Sequence, residues 1–131
     1  MKSPLSVSFY LAFFGASLLG CRNSAAVQDS VILPAVKLEA PSTITPTATL
    51  TVTLTLTPGS CTSFDRVDVE RRASEIRLTA WGVFHGALPC VFPQPLLETV
   101  QIGPPFLASF VVRVVQPEGA GADLSTAVRV Q

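Results

Sequence analysis

Histidine, methionine, tyrosine and tryptophan each occur only once in this 131-residue chain, as His85, Met1, Tyr10 and Trp81. A single histidine leaves zinc sites of the multi-histidine kind without ligands, and a methionine confined to position 1 leaves a blue-copper site without its axial sulfur. Charge is sparse and balanced, nine Lys or Arg against nine Asp or Glu. Without a basic stripe to follow a phosphate backbone, nucleic acid is not an expected partner. No glycine-rich phosphate loop and no Gly-x-Ser-x-Gly elbow is present. A small hydrolase would have to use His85 as its base, without any motif to support it. The carboxylates Asp65, Asp68, Glu70, Glu75 and Glu98 fall in strand-like segments, where they read as a solvated face rather than as a glycosidase pair. This inventory predicts no catalytic residue, no metal and no cofactor.

Long apolar runs are also missing. The longest, Leu5 to Leu18, has about 14 residues, short of the roughly 18 to 20 that a permanent membrane helix needs, and no stop-transfer cluster follows it. With Lys2 in front, it has the layout of a cleaved export signal. It ends in Leu18-Leu19-Gly20-Cys21, which resembles the lipobox of bacterial lipoproteins. That resemblance implies a diacylglycerol on the Cys21 thiol, cleavage just before it, and a mature protein exported and held in the cell envelope by its N-terminal lipid. Each buried methylene contributes about 0.8 kcal/mol, so two or more chains anchor firmly where one holds marginally. Arg22 stands where an aspartate would favour inner-membrane retention, so in a two-membrane cell the resemblance allows transport to the outer membrane. The competing reading is an ordinary signal peptide with a coincidental cysteine.

Three units follow: a signal peptide at 1–20, a lipidated N-terminus and tether at 21–46, and one small domain at 47–131. Past Cys21, eight Lys or Arg face nine Asp or Glu. The remaining chain, about 111 residues, is enough for one core of ordinary size. The segment "RNSAAVQDSVILPAVKLEAPSTITP" mixes small, hydroxylated and proline residues, so it reads as a tether whose later part adds at most an edge strand.

From there the apolar period is two, not 3.6. "TLTVTLTLT" puts Leu50, Val52, Leu54 and Leu56 on one face and a row of threonines on the other. Val67 and Val69, then Ile76, Leu78 and Ala80, continue the pattern around a hairpin at Arg72-Ala73-Ser74. Val100 and Ile102, then Ala108, Phe110, Val112 and Val114, then Leu124, Val128 and Val130 complete it. The spacing predicts an all-β, antiparallel β-sandwich of about six or seven strands. The threonine row is what an exposed strand face favours, with O-glycosylation of "STITPTATLT" as the sharper alternative.

If successive strands alternate in direction, the loops at 58–64, 83–95 and 117–121 share one pole. That pole brings together Cys61 and Cys90, whose Cα atoms must lie within about 7 Å for a disulfide. Closing a loop of roughly 30 residues would contribute about 3 to 4 kcal/mol, and two buried free thiols are the alternative. The same parity sets the tether at the opposite pole. The loop "VFHGALPCVFPQP", with Phe84, His85 and Phe92, then becomes a membrane-distal candidate binding loop, unless its aromatics merely cap the core.

The order "PGSC", "EIRLTAW", "LPC", "ETVQIGPP", "FVVRVV" is similar to that of small Ig-like domains of bacterial lipoproteins of uncharacterised function. The likeness covers roughly Thr49 to Val115. It implies an Ig-like sandwich in the envelope. In antibody domains, by contrast, the cysteines lie mid-strand, while here both fall in loops. The expected role is non-catalytic: binding an envelope protein or glycan through the membrane-distal loops. The alternative is an inhibitor-like module that inserts the 83–95 loop into an enzyme. Oligomeric state is left open by the sequence.

Overall fold

The computed structural model describes residues 29–86, 90 and 94–131. Cys21, the signal-like segment and Phe92 lie outside the described residues. Among the described residues there is no helix, and nine strands form: β1 (Asp29–Ile32), β2 (Ala35–Glu39), β3 (Thr43–Ile44), β4 (Leu50–Leu56), β5 (Thr62–Arg71), β6 (Glu75–Phe84), β7 (Leu96–Ile102), β8 (Phe110–Val114) and β9 (Leu124–Val130).

They make two sheets. One is three-stranded, β2-β4-β7, and the other runs β1-β6-β8-β9-β3 with β5 also paired to β6. Strand β4 shows why they stack. Its leucines and valine are fully buried while Thr51, Thr53 and Thr55 face outward, the alternation of a sheet with one dry face. Ile76, Leu78 and Ala80 of β6 and Val112 and Val114 of β8 meet that face, and both sheets contribute to a single apolar cluster. The all-β, two-sheet expectation therefore holds.

Several finer expectations are corrected. The pairing is mixed, because β6 runs parallel to β8 and β3 parallel to β9. Three strands, β1 to β3, lie within the segment expected to be a tether, so the described residues hold nine rather than six or seven. Val67 is half-buried but Val69 is 40% exposed. Both face the side of Leu78 and Ala80, but β5 is an edge strand that overhangs a partner sheet only three strands wide. Ala108 is exposed, and Phe106 enters the core in its place.

The first three strands also reverse the expected position of the chain's start. Asp29 pairs with Phe84 at the C-terminal end of β6, beside the disulfide, and Ile44 pairs with Val130 at the far end of β9. The chain thus runs the length of the sandwich before β4 begins. It enters the fold at the disulfide pole, not opposite it. On the way it changes sheets: Leu33 N–H donates to the Ala80 carbonyl in one sheet, and Thr57 N–H donates to the Pro34 carbonyl in the other. Strands β1 and β8 share one edge of β6, at residues 81–84 and 75–78 respectively. Where they part, Gln116 takes over the pairing of Ala35: its Oε1 accepts from the Ala35 N–H at 3.0 Å and its Nε2 donates to the Ala35 carbonyl at 2.6 Å.

Candidate functional site

The disulfide pole carries Phe84 and His85, two of the loop residues singled out in the sequence. Cys61, at φ 59° in the left-handed region, leads from the β4–β5 turn into β5, and its sulfur is bonded to that of Cys90. Their Cα atoms lie 4.9 Å apart, within the range for a disulfide. His85 N–H donates to the Cys61 carbonyl at 2.8 Å, which ties the end of β6 to the start of β5. Phe84 is 41% exposed, so it does not cap the core. His85 Nε2 lies 2.6 Å from Ser63 Oγ, a contact the sequence reading did not foresee because 22 residues separate the two.

A serine hydroxyl on an imidazole is the first half of a hydrolytic triad. The other half is missing among the described residues: no carboxylate bonds to His85, and both members of the pair are exposed. What the described residues show is an exposed hydroxyl–imidazole pair able to hydrogen-bond a polar group. Among the described residues, no group of three His, Cys, Asp or Glu side chains is placed to hold a metal ion.

Trp81 faces outward on β6 between the buried Ala80 and Gly82, with the Arg66 guanidinium 5.8 Å from its ring centre. It therefore lies on the face of β6 opposite the core, where an antibody tryptophan is buried between the sheets. Asp68 and Asp65, hydrogen-bonded to Arg66, hold its pKa above the ordinary arginine value. The threonine row is outward as expected, and β7 widens it, with Gln101, Thr99 and Leu97 opposite Thr51, Thr53 and Thr55.

The opposite pole has the more enclosed feature. Residues 103–109 return from β7 to β8 and bring Phe106 into the core, stacked on Phe110 with ring centres 5.3 Å apart. Arg71, at the end of β5, lies over Phe106 with its guanidinium carbon 4.8 Å from the ring centre. It donates to the Gly103 carbonyl at 2.7 Å and to the Pro105 carbonyl at 2.6 Å. Leu107 projects beside it, 90% exposed. A pocket of about 200 Å³ opens between these groups, over Ile76 and Phe110, with Arg72 on its rim. Sequence reading missed it because Arg71 reads as one member of a charged strand face, and Phe106 and Leu107 follow a proline break.

No protein-family model, curated protein or solved structure matches this chain.

Proposed function

We propose that this is a lipid-anchored cell-envelope protein with a non-catalytic, Ig-like β-sandwich that binds another envelope component through the pole remote from its anchor. The observation that carries this reading is the polarity of the chain. Asp29 enters beside Phe84, only eight positions after Cys21, while the Arg71–Phe106–Leu107 pocket lies at the other end of β6. With lipid on Cys21, that pocket and the exposed Leu107 point away from the membrane. The Cys61–Cys90 disulfide supports an exported location, since such bonds persist in oxidising compartments. Phe84 and His85 then belong to the membrane-facing pole.

A photo-crosslinking residue at Leu107 in intact cells should capture a defined envelope partner, and one at Phe84 should capture lipid or nothing. Capture of the same partner from Phe84 alone would reverse the assignment of poles.

A further inference from the structure

We infer that the pocket beside Arg71 receives an apolar side chain that carries, or adjoins, a carboxylate on a partner protein. This rests on the reading of that pole as the binding pole and names the chemistry it recognises. The floor is apolar, from Ile76, Phe106 and Phe110, each under a tenth exposed, and Leu107 extends it outward. About 200 Å³ accommodates one large side chain and excludes a bulky ligand.

The rim is cationic in a specific way. Arg72 is neutralised by Glu70 at 2.9 Å. Arg71 is not: it donates to two carbonyl oxygens, and among the described residues it meets no carboxylate. Two carbonyls and the Phe106 ring fix its orientation while leaving donors of the guanidinium unused. A guanidinium already immobilised loses little entropy on binding, and its fork suits a carboxylate better than an ammonium would. An apolar slot next to an unneutralised, fixed guanidinium therefore selects an anion attached to an apolar group. That anion is either a chain-terminal carboxylate or an aspartate or glutamate next to an apolar residue.

The test uses the full chain in detergent micelles, followed by NMR at the Leu107 methyls and the Arg71 amide. The probes are N-acetylphenylalanine, its uncharged amide, and an acetylated phenylalanyl-aspartyl amide. At least one of the two carboxylate probes should shift both sets of signals, and where the free acid does so its amide should bind at least about tenfold more weakly, the loss expected when a charge-assisted hydrogen bond is removed. A response to the free acid but not to the aspartyl probe assigns a chain terminus, and the converse assigns a side chain. Because Arg71 also ties the 103–105 segment, this comparison is made on the unaltered protein, and Ala108→Trp, which fills the pocket mouth, should abolish both responses. Measurable and equal binding of acid and amide, or no shift with any probe, overturns the carboxylate assignment even if Leu107 crosslinks persist. Probe binding without any crosslink from Leu107 in cells counts instead against the binding-pole reading.

Discussion

Gly82 is a position where an added side chain would clash with both neighbouring chain segments. It lies on β6 between Val31 of β1 and Phe64 of β5, with strands on both edges. A Cβ there would meet Leu33 Cδ2 at 2.6 Å, Leu33 Cγ at 3.0 Å and the Ser63 carbonyl oxygen at 2.8 Å. Leu33 is 1% exposed and sits where the chain changes sheets, so it has nowhere to retreat. The Ser63 oxygen belongs to the β5 backbone, and moving it disturbs the β5–β6 ladder. Overpacking a core costs about 1 to 3 kcal/mol, and two simultaneous clashes, one with backbone, set Gly82→Ala near about 3 kcal/mol. For a domain of this size that lowers the melting temperature by roughly 12 to 24 °C. Leu33→Ala alone should cost about 2 to 5 kcal/mol. The double variant should be less destabilised than the sum by about 1 to 2 kcal/mol, since one of the two clashes is gone. Urea unfolding of the four proteins measures all three numbers. A Gly82→Ala midpoint within error of the parent, or strict additivity with Leu33→Ala, would refute this account of the crossing.

Paired replacement of Cys61 and Cys90 by alanine should destabilise the domain by about 3.6 kcal/mol for a sequence separation of 29, read from urea unfolding; an effect below about 1 kcal/mol would show that the staple is not needed. Gln116→Ala should cost about 2 kcal/mol by leaving the Ala35 N–H and carbonyl unpaired, and should raise hydrogen exchange at the Ala35 amide. An unchanged exchange rate there would mean that another group supplies the pairing. Cys21→Ser should release the protein from membranes in fractionation, and continued firm attachment would refute the lipid anchor.

How much of this was legible in sequence depended on how each strand is buried. The strict alternation from Leu50 to Leu56 and from Ile76 to Ala80 identified faces correctly, because both strands are central and have one dry side. The disulfide was also legible, since strand parity alone brings the two loops to one pole. Strands β1 and β2 were not. Leu33 and Ala35 are both buried across Pro34, so the period-2 signal is carried through a proline and a change of sheet and resembles a tether. The Arg71 pocket was illegible for a different reason: its parts come from residues 71–76 and 105–110, and only the return of the chain after β7 joins them. The Ser63–His85 contact likewise depends on the register of β5 against β6.

The polarity of the chain also bears on the choice of partner proposed above. On the lipid-anchored reading, eight residue steps separate Cys21 from Asp29, and fully extended they span at most about 28 Å. The gap between the bilayer and the disulfide pole cannot exceed that. A small protein domain is about 30 Å across, so an enzyme seized by the 83–95 loop would hardly fit beneath the sandwich even at full stretch. The opposite pole stands the length of the ten-residue strand β6, roughly 33 Å, further out, and has no such ceiling. Inserting about ten Gly and Ser residues between Cys21 and Asp29 therefore separates the readings, because it lifts the steric limit on one pole and changes nothing at the other. Crosslinking from Leu107 should keep its partner and yield, and inhibition of envelope hydrolases should not emerge. Inhibition by the membrane-held protein at its native linker length would overturn the assignment and return the 83–95 loop to the role of the working surface.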